Sequence, residues 1–122
     1  MDLDTTLKNL TLELRRGTLT LAVLSQLTTA QYGYSLLQRL AARGVDIDQN
    51  TLYPLLRRLE SQQLLDSDWS VEGSRPRRYY VLSEQGRSAL SEIMAEWYRI
   101  VDTVNGLLRP DAQDGDDTYG VD

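Results

Sequence analysis

The 122-residue sequence contains no cysteine and no histidine. Without cysteine there is neither a disulfide framework nor a thiolate metal site. Without histidine, the commonest general base and the commonest metal ligand are both missing. A glycine-rich phosphate loop is missing as well. These absences argue against an enzyme, so we expect no catalytic residue, no cofactor and no bound metal.

Long apolar runs are also lacking. The longest one in the folded part covers only Leu21 to Leu24, far less than a membrane span. The chain opens on Met1-Asp2-Leu3-Asp4, which is acidic where a signal peptide would be basic. A chain of this length forms one domain, or one domain with a tail. We therefore expect a soluble, cytoplasmic protein that does not contact a membrane.

Lysine is scarce, since 12 of the 13 basic residues are arginine, and the net charge is −5. Five of the 18 acidic residues lie in residues 110–122, which contain no basic residue, so the rest of the chain is neutral. A neutral body with clustered arginines is compatible with DNA binding but does not by itself indicate it. We expect residues 110–122 to be a disordered acidic tail, which either aids solubility or competes with DNA for the arginines.

Leucines recur at helical spacing in four segments. They are Leu3, Leu7, Leu10 and Leu14 in the first, residues 19–27 in the second, Leu36, Leu37 and Leu40 in the third, and Leu52, Leu55, Leu56 and Leu59 in the fourth. Gly44 ends the third helix, and Asp48 or Asn50 caps the fourth. Pro54 should lie near the start of the fourth helix, because a proline deeper inside removes a hydrogen bond.

Two strand-like segments follow the helices. Residues 64–71 and 77–82 are rich in aromatic and β-branched side chains, and the turn sequence at 72–76 joins them. We expect a β-hairpin with a basic tip. Ser83 then caps a long last helix, in which apolar residues step by four and three, as in a helix-pairing seam. These residues are Leu90, Met94, Trp97, Val101, Val104 and Leu108.

Short helices, a hairpin and a long helix, in that order, form the winged helix-turn-helix arrangement, in which the helix before the hairpin enters the major groove. Four segments resemble the PadR family of transcriptional regulators. They are LRRGTL at 14–19, YGYSLL at 32–37, NTLYPLLRRL at 50–59 and GSRPRRYYVLSEQG at 73–86. The chain is similar to the compact branch of that family, which has one C-terminal helix.

The resemblance implies a mainly α fold with a small β-hairpin. We expect an N-terminal helix at 1–16, a winged domain at 17–83, a dimerisation helix at 84–109 and the tail. The resemblance also implies a homodimer that binds a palindromic double-stranded DNA operator. The last helix holds the dimer together, with Leu3, Leu7 and Leu10 of the first helix. The resemblance further implies that the protein represses transcription, and that a small aromatic ligand sometimes relieves the repression.

The predicted DNA contacts form two groups. They are Asn50, Thr51, Tyr53, Pro54, Arg57 and Arg58 in the recognition helix, and Arg75, Arg77 and Arg78 in the wing. Arginine can donate twice to guanine, and asparagine can donate to adenine. A mobile basic tip can reach phosphate or a narrow minor groove. The plainer alternatives are a solvated helix face and a charged turn. A winged-helix module that binds protein instead of DNA is the alternative function.

Two positions carry open questions. Trp97, with Met94 and Val101 one turn away, either stacks a planar aromatic effector or packs in the dimer interface. The family usually has glycine where this chain has Gln63, ahead of Leu64. If the backbone there needs a positive φ, glutamine costs about 1 kcal/mol.

Overall fold

The computed structural model describes residues 2–111, so the predicted tail lies outside the described residues except for Pro110 and Asp111. The elements are α1 (Leu3–Arg16), α2 (Leu19–Ser25), β1 (Gln31–Tyr32), α3 (Gly33–Ala42), α4 (Gln49–Ser61), β2 (Leu65–Ser70), β3 (Arg77–Leu82) and α5 (Glu84–Leu108). Two units, Met1–Glu92 and Ile93–Asp122, divide the chain within α5. Among residues 2–111, no helix has the length and apolar character needed to cross a membrane.

The strands form one antiparallel sheet in the order β1-β3-β2. β2 and β3 make the predicted hairpin, in which Leu65 lies opposite Leu82 and Trp69 opposite Arg78. The strand β1 was not predicted, since the sequence indicated only the two strands of the hairpin. Tyr32 pairs with Tyr79 of β3. A strand of two residues is too short to show an alternating pattern in the sequence. It can therefore be recognised only from its pairing with β3.

The core of residues 1–92 is formed almost entirely by leucine. Its buried side chains are Val23, Leu24, Leu27, Leu36, Leu40, Leu52, Leu55, Leu56, Leu59, Leu65, Tyr80 and Leu82. The four leucines predicted on one face of α4 are all in this set. Each fully buried leucine contributes about 1.5–3 kcal/mol relative to an exposed one. One face of α4 is therefore fixed in the core, and its other face is presented to solvent.

Two helix starts follow the predicted capping. Asp48 caps α4, its Oδ1 accepting from the backbone N–H of Thr51 at 3.0 Å. The Ser83 hydroxyl oxygen accepts from the backbone N–H of Gly86 at 2.9 Å at the start of α5. Gly86 is buried, and a Cβ there would collide with the carbonyl oxygen of Leu64. Close packing therefore accounts for a weak helix former at this position.

Pro54 lies deeper in α4 than the sequence suggested. Because Asp48 caps the helix, α4 begins at Gln49 and Pro54 falls in its second turn. Proline has no N–H, so Pro54 cannot donate the helical hydrogen bond that the carbonyl of Asn50 would otherwise accept. Both residues are exposed, so water can satisfy that carbonyl.

The same backbone motif ends α3 and α4. After α3, the N–H of Val45 donates to Leu40 O and that of Gly44 to Ala41 O. After α4, Leu64 donates to Leu59 O and Gln63 to Glu60 O, in the same pattern. This pairing is the Schellman motif, which requires a left-handed residue after the helix cap. Gly44 fills that position at φ +95°, and Gln63 fills the equivalent one at φ +67°.

Gln63→Gly should therefore stabilise the protein by about 0.5–1 kcal/mol, because glycine adopts a positive φ without steric cost. Urea denaturation at a fixed protein concentration measures the change. Gly44→Ala is the matched control. A Cβ there meets no atom within 4 Å, so its loss of stability reports backbone strain alone. A Gln63→Gly protein less stable than wild type would contradict the interpretation.

Candidate nucleic-acid interface

The exposed face of α4 carries most of the predicted recognition residues. Asn50, Thr51, Pro54, Arg57 and Arg58 are all exposed, opposite the buried leucines. The hydroxyl of Thr51 lies 3.2 Å from Oδ1 of the capping residue, so it is already engaged within the protein. Arg57 and Asn50 offer side chains that can donate to base edges. A helix held by its leucine face can present these groups in a fixed geometry.

Tyr53 is half-buried, because its ring lies against Gly33 at the start of α3. A Cβ on Gly33 would come within 2.8 Å of the ring carbon Cε1 of Tyr53. The contact packs the N-terminal end of α3 against α4. Gly33 of the YGY motif therefore has a packing role that the sequence analysis did not identify. The DNA contact predicted for Tyr53 stays a prediction.

The wing arginines differ in their surroundings. Arg75 lies exposed in the turn between β2 and β3. Arg77 is exposed, and its guanidinium carbon lies 4.4 Å from the ring centroid of Tyr32. Tyr32 also meets Tyr79 edge to face, with ring centroids 6.1 Å apart. The strand β1, which was not predicted, thus supplies the aromatic ring of Tyr32, which packs against Arg77 at the start of β3.

Arg78 points to the opposite face of the hairpin, as successive residues of a strand do. Its Nη2 lies 3.2 Å from a carboxylate oxygen of Glu60 in the last turn of α4. The Trp69 ring centroid is 5.4 Å from its guanidinium carbon. Neighbouring Tyr80 is buried, and burial raises the pKa of its phenol, which stays neutral at physiological pH. Glu60 was not singled out from the sequence, because its partner is known only once the hairpin register is fixed.

An open groove runs between α4 and the β2–β3 hairpin. It has a volume of about 280 Å³. Its lining residues are Tyr32, Gly33, Tyr34, Ser35, Tyr53, Arg57, Trp69, Pro76, Arg77, Arg78 and Tyr80. Arginine and tyrosine side chains predominate, which are common donors to phosphate oxygens. The groove brings recognition and wing residues that are far apart in sequence to a single surface.

The helix α1 exposes its apolar side chains. No residue of α1 is buried, and Leu3, Leu7 and Leu10 are 50–70% exposed. Asp2 caps this helix, and a hydrogen bond from the Thr5 backbone N–H lowers the pKa of its carboxyl group. An apolar stripe this exposed is typical of a surface that binds another chain. The dimer contact of these leucines stays a prediction.

The C-terminal part of α5 shows a second stripe. Met94, Trp97 and Val104 are 37–43% exposed, and Leu108 is exposed further. Val101 lies between them and is half-buried, as is Leu90 earlier in the helix. Their spacing continues the predicted seam, but the partner helix and the effector contact at Trp97 stay predictions.

Residues 20–92 match the Transcriptional regulator PadR-like family. That match covers more than half of the chain and includes α4, the sheet and the groove. The chain belongs to the PadR-like family of transcriptional regulators. The resemblance identified from the sequence motifs is thus confirmed, and the arginine-bearing helix and hairpin are those of a PadR-like winged helix.

Individual relatives agree with the family. A PadR family transcriptional regulator from Eggerthella lenta is 50% identical and superposes with a TM-score of 0.82, covering 87% of this chain and 95% of that structure. A PadR-like transcriptional regulator from Bacillus cereus is 27% identical with a TM-score of 0.73, covering 80% and 98%. Transcriptional regulator Rv3488 of Mycobacterium tuberculosis is 43% identical over 61 residues, which are 50% of this chain and 57% of that protein.

Proposed function

We propose that this PadR-like protein is a transcriptional repressor that binds a palindromic double-stranded DNA operator as a homodimer. The observation that carries the proposal is the juxtaposition of Arg57 on α4 and Arg77 on β3 at one groove. In this proposal, Arg57 reads a base edge in the major groove and Arg77 contacts the flanking phosphate backbone. Asn50 and Arg58 extend the reading face.

The charge distribution fits this division of labour. Residues 1–109 are neutral in sum, so the overall field gives little attraction to DNA. Attraction must come from local arginines. Arg75 and Arg77 of the wing are exposed and do not belong to the leucine core. They can therefore contact phosphate without disturbing the core. Arg78 was grouped with them from the sequence, but it is bound to Glu60.

Two exposed apolar stripes support the dimer. Residues such as Leu7 on α1 and Trp97 on α5 would each lose solvent contact if a second copy paired with them. A two-fold dimer presents two copies of α4 related by symmetry, and its operator is then palindromic. A dimer seated over a promoter blocks access to it, which is the proposed route to repression.

Wing variants test DNA binding directly. Arg75→Ala and Arg77→Ala should weaken binding to operator and random DNA alike, and each should reduce the slope of log K against log salt by about one unit for a lost phosphate contact. Fluorescence anisotropy over a salt series measures both quantities. An operator is first obtained by selecting bound sequences from a random pool.

The result also separates the two functions. Unchanged affinity and slope in both wing variants would contradict the wing contact. If the wild-type protein binds no DNA even at low salt, the protein-interaction module replaces the repressor as the proposed function.

An effector site is proposed at Trp97, between Met94 and Val101 on α5. If two copies of Trp97 face each other across a slot, a planar aromatic compound can stack on the indoles. In a Trp69→Phe protein, where Trp97 is the remaining tryptophan, such a compound should quench the emission. A broad panel of planar aromatics that leaves the emission unchanged would assign Trp97 to packing alone.

A further inference from the structure

Glu60 connects the recognition helix to both strands of the wing. Nη2 of Arg78 on β3 lies 3.2 Å from each of the two carboxylate oxygens of Glu60. The hydroxyl of Ser67 on β2 donates to Oε2 of the same carboxylate. Glu60 lies one turn after Arg57 on α4. A single carboxylate therefore ties the reading helix to the hairpin at two points.

The register of the hairpin explains why these groups meet. Ser67 lies opposite Tyr80 and Trp69 opposite Arg78, and alternation along each strand places all four side chains on one face. The ring centroids of Trp69 and Tyr80 lie 5.4 and 5.9 Å from the guanidinium carbon of Arg78, within cation–π range. Arg78 is thus held by charge at one end and by aromatic rings beside it.

The three wing arginines consequently differ in availability. Within residues 2–111, Arg78 is the only one of the three with an ion-pair partner. Its side chain is 38% exposed and that of Glu60 is 30% exposed. A phosphate contact from Arg78 would either break this pair or bring the carboxylate of Glu60 close to the DNA backbone. The neighbouring Arg77 projects to the other face and faces no such competition.

We infer that Glu60 is a positioning residue for DNA binding, which sets the wing against the recognition helix through Arg78 and Ser67, and that Arg78 serves this link instead of contacting DNA. The inference rests on the proposed DNA-binding function. A helix and a wing that are already aligned lose less conformational freedom on binding than two elements that move independently. Glu60 therefore favours DNA binding although its charge has the same sign as phosphate.

The sign of the effect of Glu60→Gln tests this inference. Glutamine keeps the shape and can still accept from Ser67, but it loses the ion pair with Arg78. We expect binding to the selected operator to weaken by about three- to tenfold, within the range of coupling between contacting residues. Asp66→Asn is the matched control, because it removes the same charge from an exposed β2 residue on the other face of the hairpin. Removing that charge should leave binding unchanged or slightly tighter.

Arg78→Met completes the test. It should weaken binding about as much as Glu60→Gln without changing the salt slope, and the double variant should bind no more weakly than either single one. The exchanged pair, Glu60→Arg with Arg78→Glu, should recover part of the affinity. Tighter binding by Glu60→Gln, or a salt slope reduced by about one unit in Arg78→Met, would overturn the inference and make Arg78 a phosphate contact.

A readout without DNA separates this inference from the proposed function. In protein labelled with fluorotryptophan, the fluorine resonance of Trp69, assigned with Trp69→Phe, should shift in Glu60→Gln because Arg78 leaves the ring. It should stay in place in Asp66→Asn. Wild-type protein that fails to bind any DNA would refute the repressor, whereas an unmoved Trp69 resonance in Glu60→Gln would refute the link itself.

Discussion

Val101→Glu is expected to convert the protein to a monomer and to abolish operator binding. The substitution places one carboxylate in each half of the proposed α5 seam, between Trp97 and Val104. An unpaired charge buried at an interface costs about 3–5 kcal/mol, and both copies carry it. A monomer holds one reading helix instead of two, so affinity for a palindrome falls with the dimer. Sedimentation equilibrium and anisotropy measure the two losses.

Thr103→Glu is the matched control for this variant. It adds the same charge two residues along α5, where the side chain is exposed and points roughly to the other side of the helix. The Thr103→Glu protein should stay dimeric and bind the operator normally. A Val101→Glu protein that sediments as a dimer at the same concentration would place the interface elsewhere, and the exposed leucines of α1 would be the next surface to test.

Elements defined by neighbouring residues could be predicted from the sequence. The leucine spacing on α4 predicted its buried face, and Ser83 was predicted as the cap of α5. For α4 the sequence offered Asp48 or Asn50, and Asp48 is the cap. β3 begins at Arg77 and ends at Leu82, where its composition indicated. These signals are local, since each depends on side chains within one or two turns or on alternation within one strand.

Features that depend on distant partners could not be predicted. β1 forms because Gln31 and Tyr32 pair with Tyr80 and Tyr79 of β3, nearly fifty residues later in the chain. The pair between Glu60 and Arg78 depends on the register of a hairpin that was still undefined. The sequence analysis placed all three wing arginines among the DNA contacts, but strand alternation directs Arg78 to the face that meets α4.

Gln63 shows a third kind of limit. From the sequence we could infer only that glutamine would destabilise the fold there if the backbone were left-handed. The Schellman hydrogen bonds after α4 require that conformation, so the conditional cost applies. The turn geometry is kept although the residue type disfavours it, because the buried leucines on either side fix the path of the chain.

Arg57→Ala should lower affinity for the selected operator by about 1–3 kcal/mol and relax the preference at one base pair in each half-site. Arg57 is exposed on α4 at the groove shared with the wing. If its guanidinium donates twice to a guanine, alanine removes both hydrogen bonds and the discrimination they give. Anisotropy on the operator and on its three substituted forms at that base pair measures the change.

Arg57→Lys is the sharper control. Lysine keeps the positive charge but lacks the planar fork that matches guanine. We expect Arg57→Lys to lose the base preference while retaining the wild-type salt slope, whereas Arg75→Ala loses slope and keeps the preference. If Arg57→Ala instead weakens operator and random DNA equally, with a slope reduced by about one unit, Arg57 binds phosphate. Base reading would then have to come from other exposed donors on α4, of which Asn50 and Arg58 are the predicted ones.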